Sequence, residues 1–226
     1  MIKKWLFIGL IAMTASLNAA DIKWERFKQQ MMIHHKDIPG WCSFEKAEKM
    51  MELVYQTRPK ICVEIGVYAG SSIYPTACAL RFLKEGVVYA IDPWSNKESI
   101  EGYEPNSPHY RYWETVDLEE IYKCFLAVVN WCRFTEYCQV LRMSSIEALP
   151  QFADESIDIL HIDGNHSEEI ALRDAQGYLP KLKKGGYLWF DDVNWESTSK
   201  AIELIMESCT LNEELSTATC FLFKKL

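Results

Sequence analysis

Between residues 61 and 192 the chain alternates short apolar runs with longer stretches of helical spacing, and most of the apolar runs end in an acidic residue. Residues 61–66, 87–92, 138–142, 157–163 and 187–192 are too apolar to leave one face in water. They read as strands of a sheet covered on both sides. Helical patterns fill the gaps: 71–84, closed by Gly86, a helical turn over 145–152, 167–183, stopped by Gly185 and Gly186, and 196–208. Strand, helix and strand in succession make βαβ units, because parallel neighbours need a crossover between them. Residues 209–212 and 218–224 close the pattern as an antiparallel hairpin across 212–216. Upstream, 21–42 predicts a short helix and a turn at Ile38-Pro39-Gly40-Trp41, and Ser43 opens a helix that Pro59 stops. The expected architecture is an α/β doubly wound sheet of seven strands, mostly parallel, with an antiparallel C-terminal hairpin.

One segment does not fit this alternation. Residues 95–136 are too long for a bare connection and carry Tyr103, Tyr110, Tyr112, Trp113 and an amphipathic helix around 117–130, which marks a helical, aromatic insertion. With 226 residues and 49% apolar content, residues 21–226 can bury the core of a single domain. The 32 acidic against 24 basic residues give a net charge of −8, which argues against nucleic acid as a partner.

Residues 1–20 stand apart. Met1-Ile2-Lys3-Lys4 is a basic start, 5–13 is apolar, and Leu17-Asn18-Ala19-Ala20 offers small residues for cleavage, the pattern of a signal peptide. The apolar run is too short to span a bilayer, so no permanent membrane anchor is expected. Export to a periplasm or the medium is the expected localisation, with the cytoplasm as its alternative. Cleavage would remove Lys3 and Lys4 and leave 22 basic against 32 acidic residues, a net charge of −10. The eight cysteines contain no C-x-x-C pair, which disfavours a zinc site, and Cys62, Cys78 and Cys220 read as buried thiols within apolar patterns.

The chemistry gathers at the strand ends, where open parallel sheets bind their ligands. After the first run, Gly66 and Gly70 let the backbone turn sharply and approach a ligand, Ser71 or Ser72 can cap the next helix, and Pro75 falls in its first turn. Asp92, at the end of the neighbouring strand, suits the ribose hydroxyls of a nucleoside lying over the glycine turn. Asp163, Asp191 and Asp192 form a second group whose oxygens suit a hard cation such as magnesium. His166, three residues after Asp163, is a candidate base beside it.

These residues resemble class I S-adenosylmethionine-dependent methyltransferases, especially the catechol and sugar (macrocin-type) O-methyltransferase branches. The resemblance covers roughly residues 60–195 and implies a Rossmann-like fold. Glu64-Ile65-Gly66-Val67-Tyr68-Ala69-Gly70-Ser71-Ser72 resembles the family's first motif, with Tyr68 where G-x-G-x-G has its middle glycine. Ala90-Ile91-Asp92-Pro93, followed by Trp94, is similar to the second motif, whose acid holds the ribose, and Ser145 matches the position that faces adenine. His161-Ile162-Asp163-Gly164-Asn165-His166 and the run from Gly185 to Asp192 resemble the fourth- and fifth-strand motifs. The resemblance implies a cofactor site of Glu64, Gly66, Val67, Tyr68, Gly70, Ser71, Ser72, Asp92, Pro93, Trp94, Ser145 and Asp163. It also implies a divalent cation on Asp163, Asp191 and Asp192, with His166 and Asp163 catalytic. Asp192 stands where catechol enzymes have asparagine and His166 where they have lysine, which shifts the acceptor away from catechol itself.

The implied reaction is displacement at a sulfonium methyl by a small hydroxylated acceptor, a sugar or a phenol. The aromatic insertion then either covers that acceptor or packs against the sheet or a second subunit in a homodimer. Two other classes share features with this one. An NAD-dependent oxidoreductase would use the strand, the glycines and Asp92, but the chain lacks G-x-G-x-x-G spacing. An exported, non-catalytic binding or effector protein would keep only the fold.

Overall fold

The structure is a computed structural model and describes residues 19–226. The signal-peptide reading falls on residues 1–18, outside the described residues, together with Ala19 and Ala20, which begin the first helix. The chain forms α1 (Ala19–His35), α2 (Phe44–Thr57), β1 (Ile61–Ile65), α3 (Ile73–Leu83) and β2 (Val87–Ile91). The insertion contributes α4 (Asn96–Ser99), α5 (Pro108–Thr115) and α6 (Leu118–Trp131). β3 (Cys138–Leu141), α7 (Ser145–Ala148), β4 (Ile157–Ile162), α8 (Glu168–Tyr178), β5 (Leu182–Asp191), α9 (Ser199–Met206), β6 (Cys209–Asn212) and β7 (Cys220–Lys225) follow.

The seven strands lie in the order β3-β2-β1-β4-β5-β7-β6. β1 to β5 run parallel, and β7 joins β5 and β6 antiparallel, as the strand pattern anticipates. The order reverses at β1, whose neighbours β2 and β4 lead away on either side, so a crevice opens beyond their carboxyl ends. Helices cover both faces. Met50, Met51, Val54, Leu80 and Phe125 pack on one, Ala171, Ala175, Tyr178 and Ile205 on the other. Among the described residues no helix is long and apolar enough to cross a membrane. None of the eight cysteines is in a disulfide, and Cys62, Cys78 and Cys220 are buried.

Several boundaries differ from the sequence pattern. α1 is a full helix over residues 19–35, longer than the short helix expected there, and its buried Trp24 stacks on Tyr55 of α2 at 4.2 Å. The segment expected as a helix over 167–183 ends at Tyr178, because Pro180 has no N–H to carry the ladder onward and the backbone tightens into a 3₁₀ turn. β5 therefore begins at Leu182 and runs through Gly185 and Gly186, which sit in the strand and not at a helix stop. The register shift opposite, between Ile157 and Ile159, absorbs that irregularity.

Candidate active site

The glycine turn is fixed by what surrounds it. Gly66 adopts φ +82°, and a Cβ there would run into the Asp163 carbonyl, so β1 and β4 approach closely enough for Asp163 N–H to donate to Ile65 O at 2.9 Å. Gly70, at φ +96°, faces the Phe125 ring of α6. Tyr68 itself sits in the left-handed region at φ +52°.

Asp92 organises this loop. Its Oδ2 accepts from the backbone N–H of Val67 and of Tyr68, each at 2.9 Å, and its Oδ1 accepts from Trp94 N–H at 2.7 Å. Burial still lifts its carboxyl above the ordinary range, against the pull of those three N–H donors. Both positions on Oδ2 are taken, so only Oδ1 has room for a ribose hydroxyl. Asp92→Ala is therefore expected to weaken S-adenosylhomocysteine binding by roughly tenfold or more, since it releases the loop as well as a ligand contact. Calorimetric titration checks this, and unchanged affinity would remove Asp92 from the site.

A cavity of about 530 Å³ starts at this loop. Gly66, Val67, Tyr68, Ser71, Ser72, Asp92, Pro93, Ser145 and Asp163 line it. Three further residues expected at a cofactor site, Glu64, Gly70 and Trp94, do not line it. Glu64 is buried beneath the loop, where Oε1 accepts from Ser72 Oγ at 2.6 Å. Gly70 faces Phe125, and Trp94 is buried, its Nε1 donating to Tyr68 O at 2.8 Å while its ring stacks on Phe125 at 5.4 Å. Ser72 holds the N-cap position of α3, yet its hydroxyl serves Glu64 and makes no cap bond. Ser71 does not cap either: its hydroxyl accepts from Cys42 N–H at 3.4 Å, and its carbonyl lies 2.9 Å from His35 Nε2.

Ser145 reaches the cavity at the start of α7 and donates to Asp174 Oδ1 at 2.5 Å. Burial raises the Asp174 carboxyl to about 6. This folded value lies above the unfolded one, so the stabilising contribution is complete below about pH 4 and is lost as pH rises through about 6. The cost at neutral pH is on the order of 2–3 kcal/mol. Asp174→Asn is expected to flatten that decline, measured by denaturant unfolding at about pH 4 and about pH 7; a variant with the wild-type slope would contradict the assignment.

The same cavity is lined by an acidic group of Asp163, Asp191 and Asp192 with His166. His166 Nε2 lies 3.2 Å from Asp192 Oδ2 and 3.7 Å from Asp163 Oδ1. Its Nε2 is shielded from solvent, and among the described residues that atom has no hydrogen-bond partner. Burial lowers its pKa to about 4, so the ring is neutral and its lone pair available. Burial and the neighbouring Asp191 push Asp163 well above the carboxylate range and Asp192 to about 6. Asp163, His166 and Asp192 each offer one atom within 4.8 Å of the others, a spacing that fits a divalent ion. This trio differs from the Asp163, Asp191 and Asp192 set expected from sequence. Asp191 instead turns inward to Lys46 of α2. Burial would raise its carboxyl, yet His161 and Lys46 hold it well below the ordinary range. Two carboxylate oxygens and one imidazole nitrogen suit manganese or iron(II) better than magnesium.

The insertion packs against this acidic group. Asn165 Nδ2 donates to the carbonyls of Ser99 and Glu101 at 3.2 and 2.8 Å, and His166 N–H donates to Tyr103 Oη at 3.0 Å. Trp195 stands 4.5 Å from the His109 ring and 5.2 Å from that of His166. Near the glycine loop, Trp41, Tyr68, Tyr112 and Trp113 form a second aromatic group, joined by Tyr68 Oη and Tyr112 Oη at 3.1 Å. Trp41 remains 70% exposed. Of the residues that sequence reasoning passed over, Lys46 had a signal. It sits on the apolar stripe of α2 with Met50 and Val54, where a lysine needs an acidic partner. Trp41, His109 and Trp195 had none, since nothing local tells an aromatic on a cavity wall from one in the core.

Residues 63–193 match the family described as a methyltransferase domain. Among curated proteins, the uncharacterized protein y4gI of Sinorhizobium fredii (strain NBRC 101917 / NGR234) is 28% identical over 147 residues, or 63% of this chain. The chain spans only 14% of that relative's length. Among solved structures, the O-methyltransferase NovP superposes with a TM-score of 0.67 at 15% identity, over 91% of this chain and 99% of its own. The O-methyltransferase from Bacillus cereus in complex with SAH gives 0.57 at 14% identity, over 95% and 93% of the two chains. The SAH-bound methyltransferase PaMTH1 of Podospora anserina gives 0.57 at 14% identity, over 93% and 89%. At these identities the likeness is one of fold. The family match runs from the glycine turn through Asp192, across more than half of the sequence, and the chain belongs to the methyltransferase-domain family.

Proposed function

We propose that this protein transfers the methyl group of S-adenosylmethionine to the hydroxyl of a small acceptor, a sugar or a phenol, with a divalent cation assisting. The observation that carries the reading is one cavity lined by two unlike groups. The glycine turn and Asp92 form one, and Asp163, His166 and Asp192, with the aromatic side chains of Tyr103, His109 and Trp195, form the other. The cofactor fits beside the glycine turn because Gly66, Val67 and Tyr68 line the cavity there and Asp92 Oδ1 keeps room for a ribose hydroxyl. When bound, it supplies an electrophilic methyl on a sulfonium.

The protein's own work is to bring the acceptor oxygen into line with that methyl, take its proton and exclude water. When no ion occupies its Oδ1, Asp163 is the base in this reading, because burial and Asp191 make it more basic than an ordinary carboxylate. The neutral His166, with a pKa of about 4, is a weaker proton acceptor, and its lone pair orients the hydroxyl or binds the cation. A divalent ion on Asp163, His166 and Asp192 would lower the acceptor pKa as a Lewis acid. Tyr103, His109 and Trp195 offer ring faces to a sugar or an aromatic acceptor.

Transfer of labelled methyl from S-adenosylmethionine to a panel of sugars and phenols, with and without chelator, tests the reading. Turnover of at least one hydroxylated acceptor is expected. Cofactor binding without turnover of any would favour a non-catalytic binding protein. Export of the protein is a separate proposal resting on residues 1–20, and N-terminal sequencing of the protein from fractionated cells tests it.

A further inference from the structure

Lys46 is a lysine on the buried face of a helix, with a side chain 4% exposed. A charge so placed survives only among opposite charges. Its Nζ pairs with Asp191 Oδ2 and lies 3.6 Å from Asp163 Oδ2. From the sheet side, His161 Nε2 lies 3.6 Å from Asp191 Oδ2 and 3.7 Å from Asp163 Oδ2. The other ring nitrogen, Nδ1, lies 3.1 Å from Glu64 Oε2. Lys46 and His161 thus close on Asp163 and Asp191 from two sides, and the ammonium lies within ion-pair distance of both carboxylates.

We propose that Lys46 is a resident cation of the acceptor site, its ammonium standing between Asp163 and Asp191 where a divalent ion would otherwise bridge them. Lys46 is then a positioning residue. It draws Asp191 and one oxygen of Asp163 inward, and confines an exchangeable ion to Asp163 Oδ1, His166 and Asp192. The use of the site rests on the methyl-transfer reading; the test does not, because it reads cation binding.

Calorimetric titration of Mn²⁺ into the full chain and its variants decides the matter. Lys46→Met is expected to bind Mn²⁺ roughly tenfold or more tightly than the wild type, and the gain disappears in Lys46→Met/Asp191→Asn. Lys46→Arg, which keeps the charge, shows no such gain. Equal affinity in wild type and Lys46→Met overturns the proposal, as does a gain that survives Asp191→Asn or appears in Lys46→Arg. For a Lys46→Met chain too unstable to titrate, recovery of folded protein by circular dichroism in Mn²⁺ but not in chelator supports it, and equal loss in both overturns it. If the wild type methylates no acceptor while this Mn²⁺ pattern holds, the functional reading fails and the resident cation stands.

Discussion

The Asp163→Asn protein is expected to bind S-adenosylhomocysteine within about threefold of the wild type and to lose roughly 10²–10⁴-fold in kcat. Asparagine keeps the shape of the side chain and cannot take a proton. The backbone of Asp163 is held independently, by its N–H bond to Ile65 at the end of β1, so the substitution leaves the glycine turn in place. Its side chain reaches the acceptor end, 3.7 Å from His166 Nε2. Single-turnover kinetics and calorimetry separate the two effects. A loss confined to cofactor affinity would move Asp163 to the cofactor's side of the cavity.

The Lys46→Met protein is expected to lose about 3–5 kcal/mol of stability, because removing one partner leaves buried carboxylates without their counter-charge. For a chain of this size that corresponds to a fall of roughly 6–20 °C in Tm. Adding Asp191→Asn removes the orphaned charge and should restore part of the loss. The two substitutions are therefore non-additive, as expected of groups in contact. Thermal denaturation of the two single variants and the double one measures this. A loss below about 1 kcal/mol for Lys46→Met would mean that water reaches the pair and that α2 is not anchored through it.

How much of this was legible in the sequence depends on how local each cause is. The strands and their mostly parallel sense follow from apolar runs and crossovers, which are properties of short segments, and the seven-stranded sheet matches that reading. The helix expected over 167–183 stops early: Gly185 and Gly186 have the look of its end, but Pro180 already ends the ladder. At the site, sequence placed the carboxylates at the strand ends, and Asp92, Asp163, Asp191 and Asp192 all stand there. It could not say which oxygens were already engaged. Asp191 faces a lysine 145 positions away, and Glu64 serves Ser72 and His161 instead of the cavity. Both are long-range choices made by packing. Trp94 is similar: it follows the acid of the second motif, yet its role is to clamp the loop from behind through Tyr68 O.

The central claim is that the cavity seats a sulfonium nucleoside on the glycine turn, facing an acidic acceptor end. Calorimetric titration of S-adenosylhomocysteine into the full chain tests it most directly, with NAD as the control. Saturable binding of S-adenosylhomocysteine, weakened roughly tenfold or more by Asp92→Ala and absent for NAD, is the predicted result. Binding of NAD, or no binding of S-adenosylhomocysteine to folded protein, would contradict it.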